Sequence, residues 1–456
     1  MDLLIKNAVV VKADEIFKSD IGIDNGKFCT FSSINEKDAK KVIDAEGKYV
    51  LPGVIDVHTH LEQKCGDIYT CDNFEDGTMA AAFGGTTTIV NFAVQERGES
   101  VLQCLKNKKQ SADNDVYIDY SLHAAFTDVN VNTIAEIPDI LSFGVNSIKV
   151  YMTYSKEKLM VEDGYLYELI KKGKEYGVLV GVHAENDSII EYASSSLVNS
   201  GKTSMKFYKY SRPVIAETEA IGRVIDFCKE LDSSIYIYHL STEKGLLKIK
   251  QAQEEGFNIF TETCPHYLLL DESIYNEPEA NNYLMSPPLR SEADKQALWQ
   301  GINKGTIKII STDHCPFTKE QKNQVANDFT KIPAGIPGIE LLLPLIFSEG
   351  VQNNKISLQK MVKVLSTNPA KIFGLTNKGS ITIGKDADFV IVDPKKDVEL
   401  TSTNLHMKSG YTLFEGKKLK GYPITTAVRG QILVEDGKFI GKKGYGQFIK
   451  RDKISL

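Results

Sequence analysis

Short apolar runs rich in β-branched residues recur through the middle of the chain, each followed by a stretch with helical periodicity. VLPGVIDVH, TTTIVNF, VYIDYSLHA, NSIKVYM, VLVGVHA, SIYIYHLS, FNIFTET and TIKIISTD read as eight strands. Their hydrophobicity is nearly continuous rather than alternating, as a parallel sheet covered on both faces requires. Between them, segments such as DGYLYELIKKGKEY, ETEAIGRVIDFCKE and EKGLLKIKQAQEE carry apolar residues at helical spacing. Eight alternating units predict an α/β fold with a closed barrel. An open doubly wound sheet is the alternative, and it would gather its chemistry at one switch point.

The two ends follow a different rule. LLIKNAVVV, SDIGIDNGKFCTF and KVIDAEGKYV are short strands broken by DNG and AEG turn signals, and the pattern returns in GKDADFVIVDP and TTAVRGQILVEDGKFIG. Neither end has enough apolar residues for a large core of its own, so the two are expected to combine into one small β-sandwich beside the barrel. The expected division is 1–50 for the N-terminal part of the sandwich, 51–375 for the barrel and 376–456 for the C-terminal part with its tail.

Polar residues at the ends of the barrel strands supply candidate chemistry. His58 and His60 in GVIDVHTH are two residues apart, so on a strand both imidazoles leave one face and reach one ion. His183 and His239 follow later strands, and TIKIISTDH ends in Asp313 and His314. A single buried histidine is most often a hydrogen-bonded structural residue. Here, however, most of the chain's 8 histidines stand at equivalent strand ends, which packing explains poorly. With Lys149 the set describes a metal-dependent hydrolase with two metals, and its spread over the first, fourth, fifth, sixth and eighth strands converges most simply at a barrel mouth. His123 has no partner at suitable spacing and reads as structural. Asp313 has a competing reading as a helix N-cap in STDHCPF.

Lys149 lies inside the apolar run NSIKVYMTY, where an ammonium is costly without a counter-charge. A salt bridge to Asp313 or another acid is the default reading. An unprotonated lysine that adds carbon dioxide would instead become an anionic carbamate with two oxygens for two ions.

Composition narrows the partners. The chain has 456 residues, 42% of them hydrophobic, and a formal net charge of -6, which offers no extended basic surface for nucleic acid; YGQFIKRDKISL is too short a basic tail to change that. Seven dispersed cysteines without a CxxC pair fit a reducing, cytoplasmic setting, with Cys65 and Cys71 redox-sensitive if exposed. MDLLIKNAVVVKADE lacks a signal-peptide pattern and no stretch reaches 18 apolar residues, so neither export nor a membrane partner is expected. The FGG and GSITIGKD glycines read as tight turns without a nucleotide fingerprint.

From HTHL through FGGTTTIVNF, SIKVYMTY, VHAEN, SRP, IYHLS, ETCPHYLLLD, SPPLR, STDHCPF and IPAGIPGIE, the chain resembles the cyclic amidohydrolases of the dihydropyrimidinase and hydantoinase family, most closely the bacterial phenylhydantoinase-like branch. The resemblance implies a TIM-like (β/α)8 barrel holding two divalent ions, Zn2+, bridged by N6-carboxylated Lys149 and a hydroxide. His58, His60 and Asp313 would complete one metal site, and His183 and His239 the other. Asp313 would orient the hydroxide and shuttle its proton to the departing ring nitrogen. Tyr154 would bind the substrate carbonyl and stabilise the oxyanion, where the competing reading is a tyrosine that only packs or gates its loop. Ser286 would contact the ring imide through its main chain. In IPAGIPGIE, Ala334 stands where the family usually has Asn, a change that main-chain recognition would tolerate. A homo-oligomer, tetramer or dimer, is also implied.

The largest departure is HTHLEQKCGDIYT, which lacks the family's Met-Pro-Phe-like continuation and places Glu62, Gln63, Lys64 and Cys65 where a specificity loop begins. A polar ring substituent is expected from these residues, balanced by Leu159 and Met160 in the loop after Tyr154. Position 62 also lacks the Arg that dihydroorotase-like enzymes use for a substrate carboxylate. The expected substrate is a small cyclic ureide or imide, opened as a hydantoin or dihydropyrimidine to an N-carbamoyl amino acid. The alternatives are an allantoinase-like or other divergent ureide hydrolase and a non-catalytic dihydropyrimidinase-like scaffold; the complete ligand set argues against the last.

Overall fold

Eight parallel strands, Val54–Thr59, Thr86–Val94, Asp119–Ala125, Ser147–Tyr151, Leu179–His183, Ile235–Ile237, Ile259–Thr263 and Ile309–Ile310, pair in chain order in the computed structural model, which describes residues 1–325 and 328–454. The first, third, fourth and fifth are buried along their whole length. Their outer faces lie under helices and their inner faces fill the barrel, which explains the continuous apolar runs. The helix Asp163–Tyr176 shows the complementary pattern, burying Leu166, Leu169, Ile170 and Gly173 along one stripe and ending on Gly177 in the left-handed conformation.

The barrel closes between its first and last strands. Thr59 and His314 form a parallel bridge there. The His60 N–H donates to the His314 carbonyl at 2.8 Å and the His314 N–H to the His58 carbonyl at 3.3 Å. Asp56, fully buried, stitches the same seam by accepting the Thr312 N–H at 3.1 Å and the Thr312 hydroxyl at 2.5 Å. Burial pushes its carboxyl up to about 6 against the opposing pull of these two bonds.

Both chain ends meet in one nine-stranded mixed sheet, folded as a small sandwich over a core that includes Leu3, Ile5, Val10, Ile21, Phe28, Phe389, Ile391 and Ile432. The junction is antiparallel pairing of Tyr49–Pro52 with Phe389–Glu399. Asn25 and Gly26, both at positive φ, turn the hairpin that DNG announces. Lys378, buried, reaches Asp119 at 2.6 Å and Asp388 at 2.7 Å and so ties this module to the third barrel strand.

The C-terminal segment is not a free basic arm. The Ile449 N–H donates to the Tyr120 carbonyl at 2.7 Å, and Arg451, 1% exposed, inserts its guanidinium under the barrel to reach Ser121 at 2.8 Å and Ser147 at 3.1 Å. Among the described residues, no helix is long and apolar enough to cross a membrane, and all seven cysteines are free thiols.

Candidate active site

His58 lies within the first strand and His60 just beyond it, and the seam carries Asp313, three residues past the last strand, to the same point. Their ligating atoms all lie within 4.8 Å of one another. Asp313 Oδ1 is 2.9 Å from His58 Nε2 and 3.1 Å from His60 Nε2. Despite that proximity, the buried His58 Nε2 has no aligned hydrogen-bond partner. Two imidazoles and a carboxylate converging on an orphaned nitrogen fit a divalent ion. His183 closes the fifth strand and His239 follows the sixth, with their rings 4.4 Å apart and His239 5.5 Å from His58. The two histidine groups are therefore contiguous. Asp313, His239 and Tyr154 all adopt left-handed backbone conformations, with φ of 51°, 37° and 72°. Such strain costs about 1–3 kcal/mol per residue and turns these side chains at the mouth.

Partners that the sequence reading did not identify set the imidazoles. Glu262, buried in ETCPHY, hydrogen-bonds His58 Nδ1. Glu185, buried in VHAEN, takes His183 Nε2 at 2.7 Å and is in turn paired with Arg212 of SRP. Each fixes the tautomer and leaves the other ring nitrogen as the available donor. The signal was an acid near each histidine-bearing strand end, which is too common to single out without the fold. Burial pulls the His58 imidazole down, but Asp313 and Glu262 outweigh it and raise it to about 9. Burial dominates at His183, held down to about 4, and at His239, held well below the usual imidazole range, so both stay neutral. Burial would raise Asp313, yet His58 and His60 keep it well below the carboxylate norm.

Lys149 forms no ion pair among the described residues, so the default salt bridge is absent. Its ammonium lies 3.9 Å from the Tyr238 ring centre, 4.8 Å from Phe92 and 5.1 Å from Tyr151. Burial pulls its pKa down to about 8, against the attraction of Asp313 and Glu262. Gly181 pairs with Lys149 on the neighbouring strand, and a Cβ there would come within 2.4 Å of the Tyr238 ring. Only glycine leaves room for this aromatic cage.

Tyr154 stands over the mouth, its ring 5.1 Å from His183 and 4.9 Å from the Arg212 guanidinium. Burial raises its pKa, partly offset by Arg212. The half-buried Ser286 bonds the Tyr208 hydroxyl at 2.9 Å. Ala334 is exposed, and its neighbour Gly335 donates its N–H to Leu284 at 3.0 Å. Lys322, fully buried, donates to the carbonyls of Leu284 at 2.7 Å and Pro333 at 2.8 Å, stapling the Ser286 and Ala334 segments together. Leu159 and Met160 are half-buried in the loop folded back on Tyr151 and Tyr154.

Several side chains of the polar loop engage neighbouring residues. Glu62 accepts the Phe74 N–H at 3.3 Å and the Ser111 hydroxyl. Lys64 pairs with Glu96 at 2.8 Å on the surface. Gln63 Oε1 meets His60 Nδ1 at 2.5 Å, and its amide nitrogen lies 3.7 Å from Cys65 Sγ. Each of these three residues thus has a partner within the protein. His314 and His123 are likewise structural: His314 Nδ1 accepts the Gly338 N–H at 3.0 Å, and His123 bonds Ser147 at 2.6 Å and the Val57 carbonyl at 3.0 Å.

Residues 49–433 match the model of the Amidohydrolase family. The chain is 39% identical over 458 aligned residues to a D-hydantoinase of Geobacillus stearothermophilus, covering 99% of this chain and 97% of the relative. Its fold superposes on a dihydropyrimidinase from Brevibacillus agri with a TM-score of 0.98 at 39% identity, covering 100% of both chains. It also superposes on an L-hydantoinase (dihydropyrimidinase) from Arthrobacter aurescens with a TM-score of 0.90 at 31% identity, covering 99% of this chain and 100% of that one.

Glu262→Gln keeps an acceptor at His58 but removes its charge, so in metal-free protein the His58 pKa should fall below about 9, as read by histidine NMR titration. The raised value gives a stability contribution that is full below the ordinary 6.5 and lost as pH climbs through 9; that loss should shrink in the variant.

Proposed function

The chain belongs to the dihydropyrimidinase and hydantoinase branch of the amidohydrolase family, and we infer that it opens a hydantoin or dihydropyrimidine ring at its amide bond to leave an N-carbamoyl amino acid. Full-length similarity to hydantoinases, in a chain whose His58, His60 and Asp313 converge at a barrel mouth, carries this reading. His58, His60 and Asp313 would hold one Zn2+ and His183 and His239 a second, with N6-carboxylated Lys149 between them. Bound divalent ions of this kind lower the pKa of water and polarise a carbonyl. Burial that pulls this caged amine down to about 8 favours the unprotonated form, the one that adds carbon dioxide, which supports the carbamate.

Asp313 engages both imidazoles through Oδ1. With Oδ1 turned to the imidazoles, Oδ2 is the atom assigned to take a proton from attacking water and return it to the departing ring nitrogen. The Tyr154 hydroxyl would donate to the oxygen that gains charge, held by its packing on Arg212 and His183. The Ser286 and Ala334 main chains would bind the ring imide. Similarity to both D- and L-hydantoinases leaves the preferred enantiomer to the side chains around the mouth.

The activity is tested by turnover of dihydrouracil, hydantoin, 5-phenylhydantoin, allantoin and dihydroorotate under identical conditions. At least one hydantoin or dihydropyrimidine should be opened and dihydroorotate hardly at all; dominant turnover of allantoin or dihydroorotate would overturn the substrate assignment. Lys149→Ala should lose most of its metal and activity, with partial recovery in a small carboxylate such as acetate. Unmodified lysine density beside two fully occupied metals in a crystal would refute the carbamate. Tyr154→Phe should keep both metals while losing about 2 to 4 kcal/mol of transition-state stabilisation in kcat. A normal kcat in a metal-replete variant would remove Tyr154 from the chemistry.

A further inference from the structure

Residues 63–70 are built as a lock. Lys64–Cys65 pairs with Ile68–Tyr69 in a two-stranded hairpin, turned through Gly66 at φ 62°. Thr70, 6% exposed, closes its base: its hydroxyl accepts the Gln63 N–H at 2.9 Å and donates to the His60 carbonyl at 2.8 Å. The Thr70 N–H returns to the Gln63 carbonyl at 2.9 Å. Outside the hairpin, the Cys71 N–H donates to Pro316 at 2.9 Å, fastening the loop to the strand end that carries Asp313. The result is that Gln63 Oε1 sits 2.5 Å from His60 Nδ1.

The Gln63 amide nitrogen faces Cys65 Sγ at 3.7 Å, leaving the oxygen to accept the Nδ1 proton of His60. That tautomer places the His60 lone pair on Nε2, the atom 3.1 Å from Asp313. Turning the amide over would set its NH2 against Nδ1 and place the proton on Nε2, where a metal ligand needs a lone pair. His58 and His183 each have a buried carboxylate as partner, whereas His60 has a neutral amide that adds no further negative charge to the cluster. An apolar residue, as in the family's Met-Pro-Phe-like continuation, could not make this bond.

We propose that Gln63 is a positioning residue for the metal ligand His60 and that the 63–70 hairpin is the clamp that holds it there, so this loop, polar in composition, serves the metal rather than a polar ring substituent. The proposal rests on the metal reading above. Metal-depleted wild type, Gln63→Leu, Gln63→Glu and Thr70→Val are titrated with Zn2+ against a chromophoric chelator. Gln63→Leu should bind Zn2+ about 10- to 100-fold more weakly, the usual scale for losing a ligand's hydrogen-bond partner. Gln63→Glu, which offers an acceptor at the same place, should match or exceed wild type, and Thr70→Val should fall between. Wild-type affinity in Gln63→Leu, or equal loss in the Leu and Glu variants, would overturn the clamp. So would unchanged Zn2+ affinity in Gln63→Leu accompanied by altered relative kcat/KM across 5-substituted hydantoins, because that pattern assigns Gln63 to the substrate. Wild-type protein that takes up no Zn2+ would instead remove the metal reading itself, an outcome separate from failure of the clamp.

Discussion

Closure of the barrel between its first and last strands is the constraint on which the site depends. His58 and His60 stand on one side of that seam and Asp313 on the other, more than 250 residues away in the chain. The backbone bonds between His60 and His314, and the buried Asp56 that holds Thr312, bring them to within ligating distance. An open sheet with the same strands would leave these groups at opposite edges. The motif that contributes both histidines thus also carries, in Asp56, the group that secures the segment bearing Asp313.

Around that seam, buried polarity is arranged by pairing. Glu262 and Glu185 would be costly in an apolar barrel if unpaired, but each takes an imidazole, and Arg212 offsets Glu185. Lys149 is the exception, with aromatic faces and, among the described residues, no ion pair to a carboxylate. Burial works against the cationic form of this amine, while the aromatic faces and the charges of Asp313 and Glu262 favour it. Conversion to an anion that joins the neighbouring imidazoles through metal would resolve the imbalance, which links the cage that Gly181 permits to the chemistry inferred for the mouth.

The loop after HTHL shows how partners, and not composition, assign a polar side chain its contacts. Glu, Gln and Lys after HTHL suggest a polar specificity surface, but Glu62 is spent on a helix start and Ser111, Lys64 on a surface ion pair, and Gln63 on His60. Cys65, Leu159 and Met160 remain half-buried near the mouth. A polar side chain contributes to recognition only with the hydrogen bonds it has left over.

The order of strands and helices and the separate character of the two ends were legible in the sequence, because periodicity and continuous burial are local consequences of strand and helix geometry. So was the family, through motifs spread along nearly the whole chain. Tertiary structure alone decided which acids serve which histidines, that Lys149 has a cage instead of a salt bridge, that Arg451 lies under the barrel, and that Gln63 faces His60. Each of these is a contact between segments remote in sequence or turned by a loop whose direction no periodicity encodes. Residue types specify what hydrogen bonds and charges a side chain can offer; only the closed barrel determines which of those offers are taken.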